Sequence, residues 1–309
     1  MKHYDKCKLI IGGPNRSGTS LLRSMVGSHS QVSTPHIEPK LHYHIRNQAI
    51  KNSSDVDYGV ILKTILELPK IKSLDLDSNL VQNKFTLYGN NEQSIYFAIL
   101  ENLAEKNNKP FYAEKTTYNE HYFETYYRWF GDSLRFVYII RDPLNTFASL
   151  INYRGIPRAV DPVSWSEEWN NSVTKALKIK KVHPKQVMLI KYEDLVKKPI
   201  DLATSLCDFM GLKLDVDKMI SLNDFPHHDN TSFSKVNPDR EMNPIKDKGQ
   251  LSRYDYIPKL SREFLTSVTY NNAKNFGYDI GEPTLLGKLF SLRGLRHIVR
   301  LEGLKHAQT

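Results

Sequence analysis

Nine consecutive residues concentrate the chemical potential of this chain: Gly12-Gly13-Pro14-Asn15-Arg16-Ser17-Gly18-Thr19-Ser20. They follow the apolar run Leu9-Ile10-Ile11 and precede Leu21, Leu22, Met25 and Val26 at helical spacing. The order is buried strand, tight glycine turn, helix entry. Such a turn points backbone N–H groups at one phosphate-like anion, and the positive end of the helix adds to the attraction. Arg16 supplies a cation within the turn, and Thr19 and Ser20 supply hydroxyls.

The spacing is that of a phosphate loop, G-x4-G-K-[ST], with Thr19 standing where the lysine belongs. That departure points away from ordinary ATP and GTP chemistry and makes Arg16 the substitute cation. A second anion site follows the strand Leu134-Arg135-Phe136-Val137-Tyr138-Ile139-Ile140. There Arg141 offers a rigid bidentate fork. Ser149 lies eight residues on, two turns into a helix that begins near Pro143.

Positioning these groups requires a particular architecture. Strands are expected at 8–13, 111–116, 134–140 and 186–192, and helices at 19–28, 121–130, 145–153 and 199–210, the last ended by Gly211. Short apolar strands alternating with helices predict an α/β three-layer sandwich with a central, mainly parallel sheet and a P-loop-like turn. Ligands in such sheets sit at the carboxyl ends of strands. The segment His36 to His44 reads as a loop, because Pro35 and Pro39 oppose a helix. Residues 50–108 read as mostly helical with several breaks. A single domain over 1–309 is expected, with 45–108 a helical insertion on the substrate side and 284–309 a basic amphipathic C-terminal helix.

Bulk properties exclude several classes. The 309 residues carry 43 Lys+Arg against 34 Asp+Glu, a formal charge of +9, which suits anionic ligands. Cys7 and Cys207 are the only cysteines, so neither a disulfide framework nor a thiolate metal site is expected. His42 and His44 share a face only on an extended strand, and no acidic cluster completes a shell, so no metal is expected. No nucleic-acid recognition motif accompanies the charge. The first strand begins almost at the N-terminus, and no apolar run of about 18 residues occurs. Both point to a cytoplasmic enzyme. The basic tail reads as a helix docked on the core, an oligomer contact, or a peripheral contact with anionic membrane.

Three stretches in order resemble the sulfotransferase family. Gly13 to Leu22 looks like its 5′-phosphosulfate loop, Phe136 to Pro143 with Ser149 like its 3′-phosphate element, and Ile190-Lys191-Tyr192-Glu193-Asp194-Leu195 like a further recurring element. The resemblance implies transfer of a sulfuryl group from 3′-phosphoadenosine 5′-phosphosulfate (PAPS), leaving adenosine 3′,5′-bisphosphate (PAP). Cofactor contacts then fall to Pro14, Asn15, Arg16, Ser17, Gly18, Thr19, Ser20, Arg141, Ser149 and Tyr192. A late basic loop covering the 3′-phosphate would draw on Lys246, Lys248 and Arg253. Glycan and protein-tyrosine members use a glutamate base in the loop beyond the first helix, which here is Glu38. His36 is the rival base, since small-molecule members use histidine. Glu114-Lys115-Thr116-Thr117-Tyr118 resembles a glycan-member element, with Thr117 in place of its proline, and gives Lys115 a role at the departing sulfuryl group. Arg16 would neutralise the leaving oxygen.

The implied acceptor is a hydroxyl or amine, by preference a glycan or glycolipid, with tyrosine in a protein or a small alcohol as alternatives. The aromatic residues Tyr122, Tyr126, Tyr127, Trp129, Trp165 and Trp169 offer stacking faces for a sugar. A P-loop kinase is the rival enzyme class, opposed by the absent lysine and the lack of an acidic Walker B strand end. A non-catalytic nucleotide-binding scaffold is the rival non-enzyme.

Overall fold

The computed structural model describes residues 3–51, 56–153, 156–222 and 253–305. A five-stranded, wholly parallel sheet runs in the order β2-β3-β1-β4-β7. Its strands are β1 (Cys7–Gly12), β2 (Val32–Ser33), β3 (Phe111–Lys115), β4 (Phe136–Ile140) and β7 (Val187–Lys191). β5 (Asn152–Tyr153) and β6 (Ile156–Pro157) form a small separate antiparallel pair.

Helices fill the connections. α1 (His3–Lys6) leads into β1 and α2 (Thr19–Ser28) leaves it. Between β2 and β3 lie α3 (Leu41–Lys51), α4 (Tyr58–Leu66), α5 (Pro69–Lys72), α6 (Ser78–Leu87) and α7 (Glu92–Lys106). α8 (Phe123–Phe130) joins β3 to β4, and α9 (Pro143–Ile151) and α10 (Pro162–Val182) lie between β4 and β7. α11 (Tyr192–Lys197), α12 (Pro199–Met210) and α13 (Val216–Ser221) follow β7. α14 (Lys259–Asn275), α15 (Leu285–Ser291) and α16 (Arg296–Lys305) end the described chain.

Alternation along the strands divides the core in two. Phe136, Tyr138 and Ile140 of β4 pack to one face with Ile10 of β1 and residues of α7, α8, α10 and α14. Val137 and Ile139 pack to the other with Leu9, Ile11 and residues of α2, α12 and α13. Both faces are covered, so the strands read as continuous apolar runs rather than as alternating ones.

Several boundaries differ from expectation for identifiable reasons. α9 begins at Pro143, two residues early, because the Asp142 carboxylate accepts the Asn145 N–H (2.7 Å) and Pro143 occupies the first turn. The histidine-rich segment is only half a loop: α3 starts at Leu41, so His42 and His44 are helical. Pro39 precedes the helix and removes no helical hydrogen bond, so it does not oppose it. The basic tail is two helices rather than one, broken where Leu292 adopts extended backbone (φ −64°, ψ 138°).

One connection locks the centre of the sheet. Between β3 and α8, three successive residues reach the end of β1: the Asn119 Nδ2 donates to the Ile11 carbonyl (3.0 Å), the Tyr118 N–H to the Gly13 carbonyl (3.0 Å), and the Glu120 Oε2 accepts the Gly13 N–H (3.0 Å). The Ser172 hydroxyl of α10 donates to the other Glu120 oxygen and is itself paired with the Tyr138 hydroxyl (2.8 Å). Glu120 is fully buried, and burial raises its pKa from 4.5 to about 7. Glu114, buried beside Thr116 and Asn119, is raised likewise from 4.5 to about 7.

A carboxyl that binds its proton more tightly when folded releases it on unfolding, so stability falls as pH rises between the two pKa values. Thermal unfolding should therefore show a Tm decline from about pH 4.5 to about pH 7 to which Glu114 and Glu120 both contribute. The neutral Glu120→Gln variant should be flatter over that window. An identical slope in the variant would mean that Glu120 titrates normally in the folded protein.

Candidate active site

The carboxyl ends of β1, β3, β4 and β7 converge on one edge at Gly12, Lys115, Ile140 and Lys191, as the registers Ile11↔Lys115, Gly12↔Tyr138 and Ile140↔Lys191 require. The turn after β1 is strongly curled. Gly13 (φ 134°), Arg16 (φ 68°) and Gly18 (φ 93°) all have positive φ. A Cβ at Gly13 would come within 2.2 Å of the Ile139 carbonyl oxygen, and one at Gly18 within 2.4 Å of the Tyr192 ring, so both must be glycine. Arg16 holds a left-handed conformation that costs a side-chain-bearing residue about 1–2 kcal/mol, a strain typical of functional turns.

This cradle fits an anion. α2 has no side-chain cap and no acidic residue in its first turn, and its leading N–H groups have no intrahelical acceptor. The Ser17 hydroxyl is buried without a hydrogen-bond partner among the described residues. Pro14 and Thr19 are buried, Ser20 is half-buried, and Asn15 is exposed at the tip of the turn.

Arg141 stands one strand away. Its guanidinium lies 4.5 Å over the Tyr192 ring, and burial pushes its pKa down, with the Arg253 charge adding to that effect. The adjacent carboxylates are occupied elsewhere. Asp142 caps α9 and accepts from the Tyr254 hydroxyl (2.8 Å); Glu193 accepts from the Tyr278 hydroxyl (2.7 Å). Among the described residues no carboxylate makes an ion-pair contact with Arg141. Tyr192 therefore forms a wall shared by two candidate anion sites: its ring lies against Gly18 of one and carries Arg141 of the other. A further link runs above it, where the Arg16 Nε donates to the Ser149 hydroxyl (3.3 Å).

Arg253 enters the same neighbourhood, with its N–H donating to the Asn145 Oδ1 on α9 (3.2 Å). Lys246 and Lys248 lie outside the described residues.

A carboxylate–ammonium pair lies at the end of β3. The loop after β2 alternates buried Pro35, Ile37 and Pro39 with half-buried His36 and Glu38. The Glu38 Oε2 pairs with the Lys115 Nζ (2.7 Å), while its Oε1 accepts from both the N–H (2.9 Å) and the hydroxyl (2.7 Å) of Thr117. Burial alone would raise the Glu38 pKa. The Lys115 charge and the hydrogen bonds overcome it and hold Glu38 at about 2. Lys115 is 3% exposed, and burial pulls its pKa below that of a free lysine despite the pairing. Lys115 and Glu114 point to opposite faces of β3, so the Glu-Lys sequence is not a local salt bridge.

Some expected contacts lie elsewhere. His42 is buried and wedged against Tyr122 (4.2 Å between centroids), Tyr126 and Trp129, and burial lowers its pKa to about 4. It is a core residue, not an acceptor contact. Tyr126, Trp165 and Trp169 are also core and offer no face to a sugar. Among the described residues no cluster of three or more His, Cys, Asp or Glu is arranged to hold a metal. No helix among them is long and apolar enough to cross a membrane. The locking residues Asn119 and Glu120 and the hydroxyls of Tyr254 and Tyr278 were missed from sequence. Their neighbours in space are distant in the chain, so no local signal marks them.

Comparison with known proteins agrees with this geometry. The profile of the Sulfotransferase family matches residues 9–216. Among solved structures, the sulfotransferase domain from the Synechococcus PCC 7002 olefin synthase aligns at TM-score 0.57 and 19% identity, covering 88% of this chain and 94% of that one. The sulfotransferase domain from the curacin biosynthetic pathway aligns at TM-score 0.57 and 20% identity, covering 88% and 98%. The mouse sulfotransferase SULT7A1, solved with PAP, aligns at TM-score 0.47 and 13% identity, covering 87% and 84%. No curated protein matches significantly. A profile match over two thirds of the chain, laid on a parallel sheet with a phosphosulfate-type loop, establishes that this chain belongs to the sulfotransferase family and is a transferase using PAPS as its sulfuryl donor.

Proposed function

We propose that the enzyme sulfates a hydroxyl group on a carbohydrate or glycolipid acceptor, with Glu38 as general base. The observation that carries the reading is the pair of anion sites sharing the Tyr192 wall, which suits a nucleotide with phosphate at both the 3′ and 5′ positions. The Glu38 and Glu114–Tyr118 elements, which resemble those of glycan-modifying members, support the acceptor class.

PAPS supplies an activated sulfuryl group on a 5′-phosphate. In our reading the turn from Pro14 to Ser20 holds that end through its N–H groups and hydroxyls. Arg141 and Ser149 hold the 3′-phosphate, with Arg253 beside them and Lys246 and Lys248 as further candidates. Arg16 neutralises the charge that develops on the leaving oxygen. The acceptor oxygen forms a bond to sulfur as the sulfur–phosphate oxygen bond breaks, and the acceptor proton passes to Glu38.

A carboxylate held near 2 is a weak base. Its weakness comes from Lys115, and Lys115 is also the cation nearest to where Glu38 works. Once the ammonium turns toward the anionic sulfuryl oxygens, Glu38 loses its strongest stabiliser and its basicity rises. The pair thus keeps both groups quiet until donor arrives. His36, two residues away in the same loop, is left to orient the acceptor.

Calorimetric titration tests the nucleotide half. PAP should bind more tightly than 5′-AMP, and Arg141→Ala should weaken PAP by about ten- to a hundredfold while changing AMP by less than about threefold, as expected for one charged hydrogen-bonding partner. Equal affinity for the two nucleotides in wild type would overturn the assignment of Arg141.

Steady-state kinetics with labelled PAPS and a panel of glycan, glycolipid, tyrosine-peptide and small-alcohol acceptors tests the chemical half. Glu38→Gln should lower kcat by about 10²–10⁴-fold and leave PAP affinity within about threefold, while His36→Ala should lower kcat by less than about tenfold. The reverse ranking would move the base to His36.

A further inference from the structure

The C-terminal helices present a surface to which the candidate active site assigns no role. Of the fifteen exposed large apolar side chains among the described residues, six lie between 285 and 304: Leu285, Leu286, Leu289, Leu292, Leu301 and Leu304. The other nine are scattered, as single exposed apolar residues normally are. Leu285 is 85% exposed and Leu292 57%, so these side chains stand in water rather than at the edge of a contact.

Their arrangement follows from how the two helices dock. α15 approaches α14 so closely that a Cβ on Gly287 would come within 2.3 Å of the Glu263 carbonyl oxygen, and Phe290 is buried on the same side. α16 approaches α10 through Gly303, where a Cβ would meet the Pro162 ring at 2.6 Å, and through buried Val299. These inward residues direct the opposite face of each helix to solvent. On α15 that face holds Leu285 and Leu289, and Leu286 and Lys288 flank it as exposed residues. On α16 it holds His297, Arg300, Leu301, Leu304 and Lys305.

Charge on this unit is one-sided. Residues 285–305 contain five Lys and Arg and a single acid, Glu302. The Glu302 carboxylate is turned inward, accepting from the N–H groups of Leu260 (3.1 Å) and Ser261 (2.6 Å) at the start of α14. Arg296 pairs with Glu167 and Arg300 with Asp161. Lys288, Arg293 and Lys305 make no ion pair among the described residues.

We propose that the outward face of α15 and α16 is a docking surface for an anionic lipid bilayer. Leucines that enter the acyl boundary, interleaved with cations that meet acidic headgroups, are the two halves of interfacial binding. A nucleic acid would satisfy the cations and leave six leucines in water. A second copy packed face to face would set like charges against like. Only a partner with acid outside and apolar matter beneath answers both features.

Vesicle co-sedimentation of the full chain tests this, with phosphatidylcholine alone and with about a quarter phosphatidylglycerol added. Wild type should bind the mixed vesicles at least about tenfold better than the neutral ones, and high salt should weaken that binding. The triple variant Leu285→Gln, Leu289→Gln, Leu292→Gln and the triple variant Lys288→Gln, Arg293→Gln, Lys305→Gln should each lose about tenfold or more. All six positions are on the surface and outside the catalytic region, so Tm and PAP affinity should match wild type in both. Equal binding to the two vesicle types would overturn the proposal. So would full retention in the leucine variant, which would reduce the effect to net charge. A wild-type dimer in light scattering that the leucine variant converts to monomer would make the face a contact between copies instead.

Discussion

A hydrogen bond at the back of the loop, from the Gly13 N–H into the buried carboxyl of Glu120, governs how the front of the site is built. An anion-binding turn must direct its free N–H groups outward, yet its first peptide must stay fixed to the sheet. Asn119, Tyr118 and Glu120 do this by taking the groups at the end of β1 into a dry network with Ser172 and Tyr138. The network is anchored on β4 and α10, so three separate elements hold one turn. Glycine at 13 and 18 then lets the chain pass the Ile139 carbonyl and the Tyr192 ring without a side chain between. Donors held this way need little rearrangement when charge develops, and that is the condition for strong electrostatic stabilisation.

Charge balance in the centre is deliberately incomplete. Lys115 is almost wholly buried, and a lone ammonium there would be costly without a partner. Glu38 is that partner, at the expense of its own basicity. Arg141 is treated differently. Asp142 and Glu193, the acids nearest in sequence and fold, are engaged by Asn145, Tyr254 and Tyr278, so the guanidinium rests on an aromatic face. A cation satisfied by a ring rather than by a carboxylate keeps its directed N–H donors for an incoming phosphate.

Much of this was legible in the chain because the signals are local. A strand, a glycine turn and a helix over 7–28 follow from apolar spacing and two glycines, and α12 ends at Gly211 because only a left-handed residue closes it there (φ 64°). Arg141 follows β4 because the apolar run stops there, and Ser149 falls on the helix after it, where its hydroxyl accepts from Arg16. What was illegible depends on partners far away in sequence. Pro39 looked like a helix breaker for His42 and His44, but a proline before the first turn is harmless. Aromatic residues at 126, 165 and 169 looked available to a sugar, but periodicity alone does not separate a buried ring from an exposed one. Glu120 gave no signal at all, since its partners are 107 and 52 residues away.

The placement of Tyr192 ties the turn after β1 to Arg141 at the end of β4. β7 pairs with β4 in strict register through Ile140↔Lys191, so the first residue after β7 emerges beside the first residue after β4. Tyr192 therefore reaches Arg141 by sheet geometry, not by loop conformation. Its other edge meets Gly18 because β4 is in turn hydrogen-bonded to β1. Three parallel strands thus set the spacing between the turn after β1 and the Arg141 guanidinium, and the Arg16 Nε bonds the Ser149 hydroxyl in the same region. A spacing built from strand separation cannot drift with loop motion. Under the proposed function, selectivity for a nucleotide charged at both ends follows from the sheet itself, because a nucleotide with one phosphate would leave a desolvated arginine without its counter-ion.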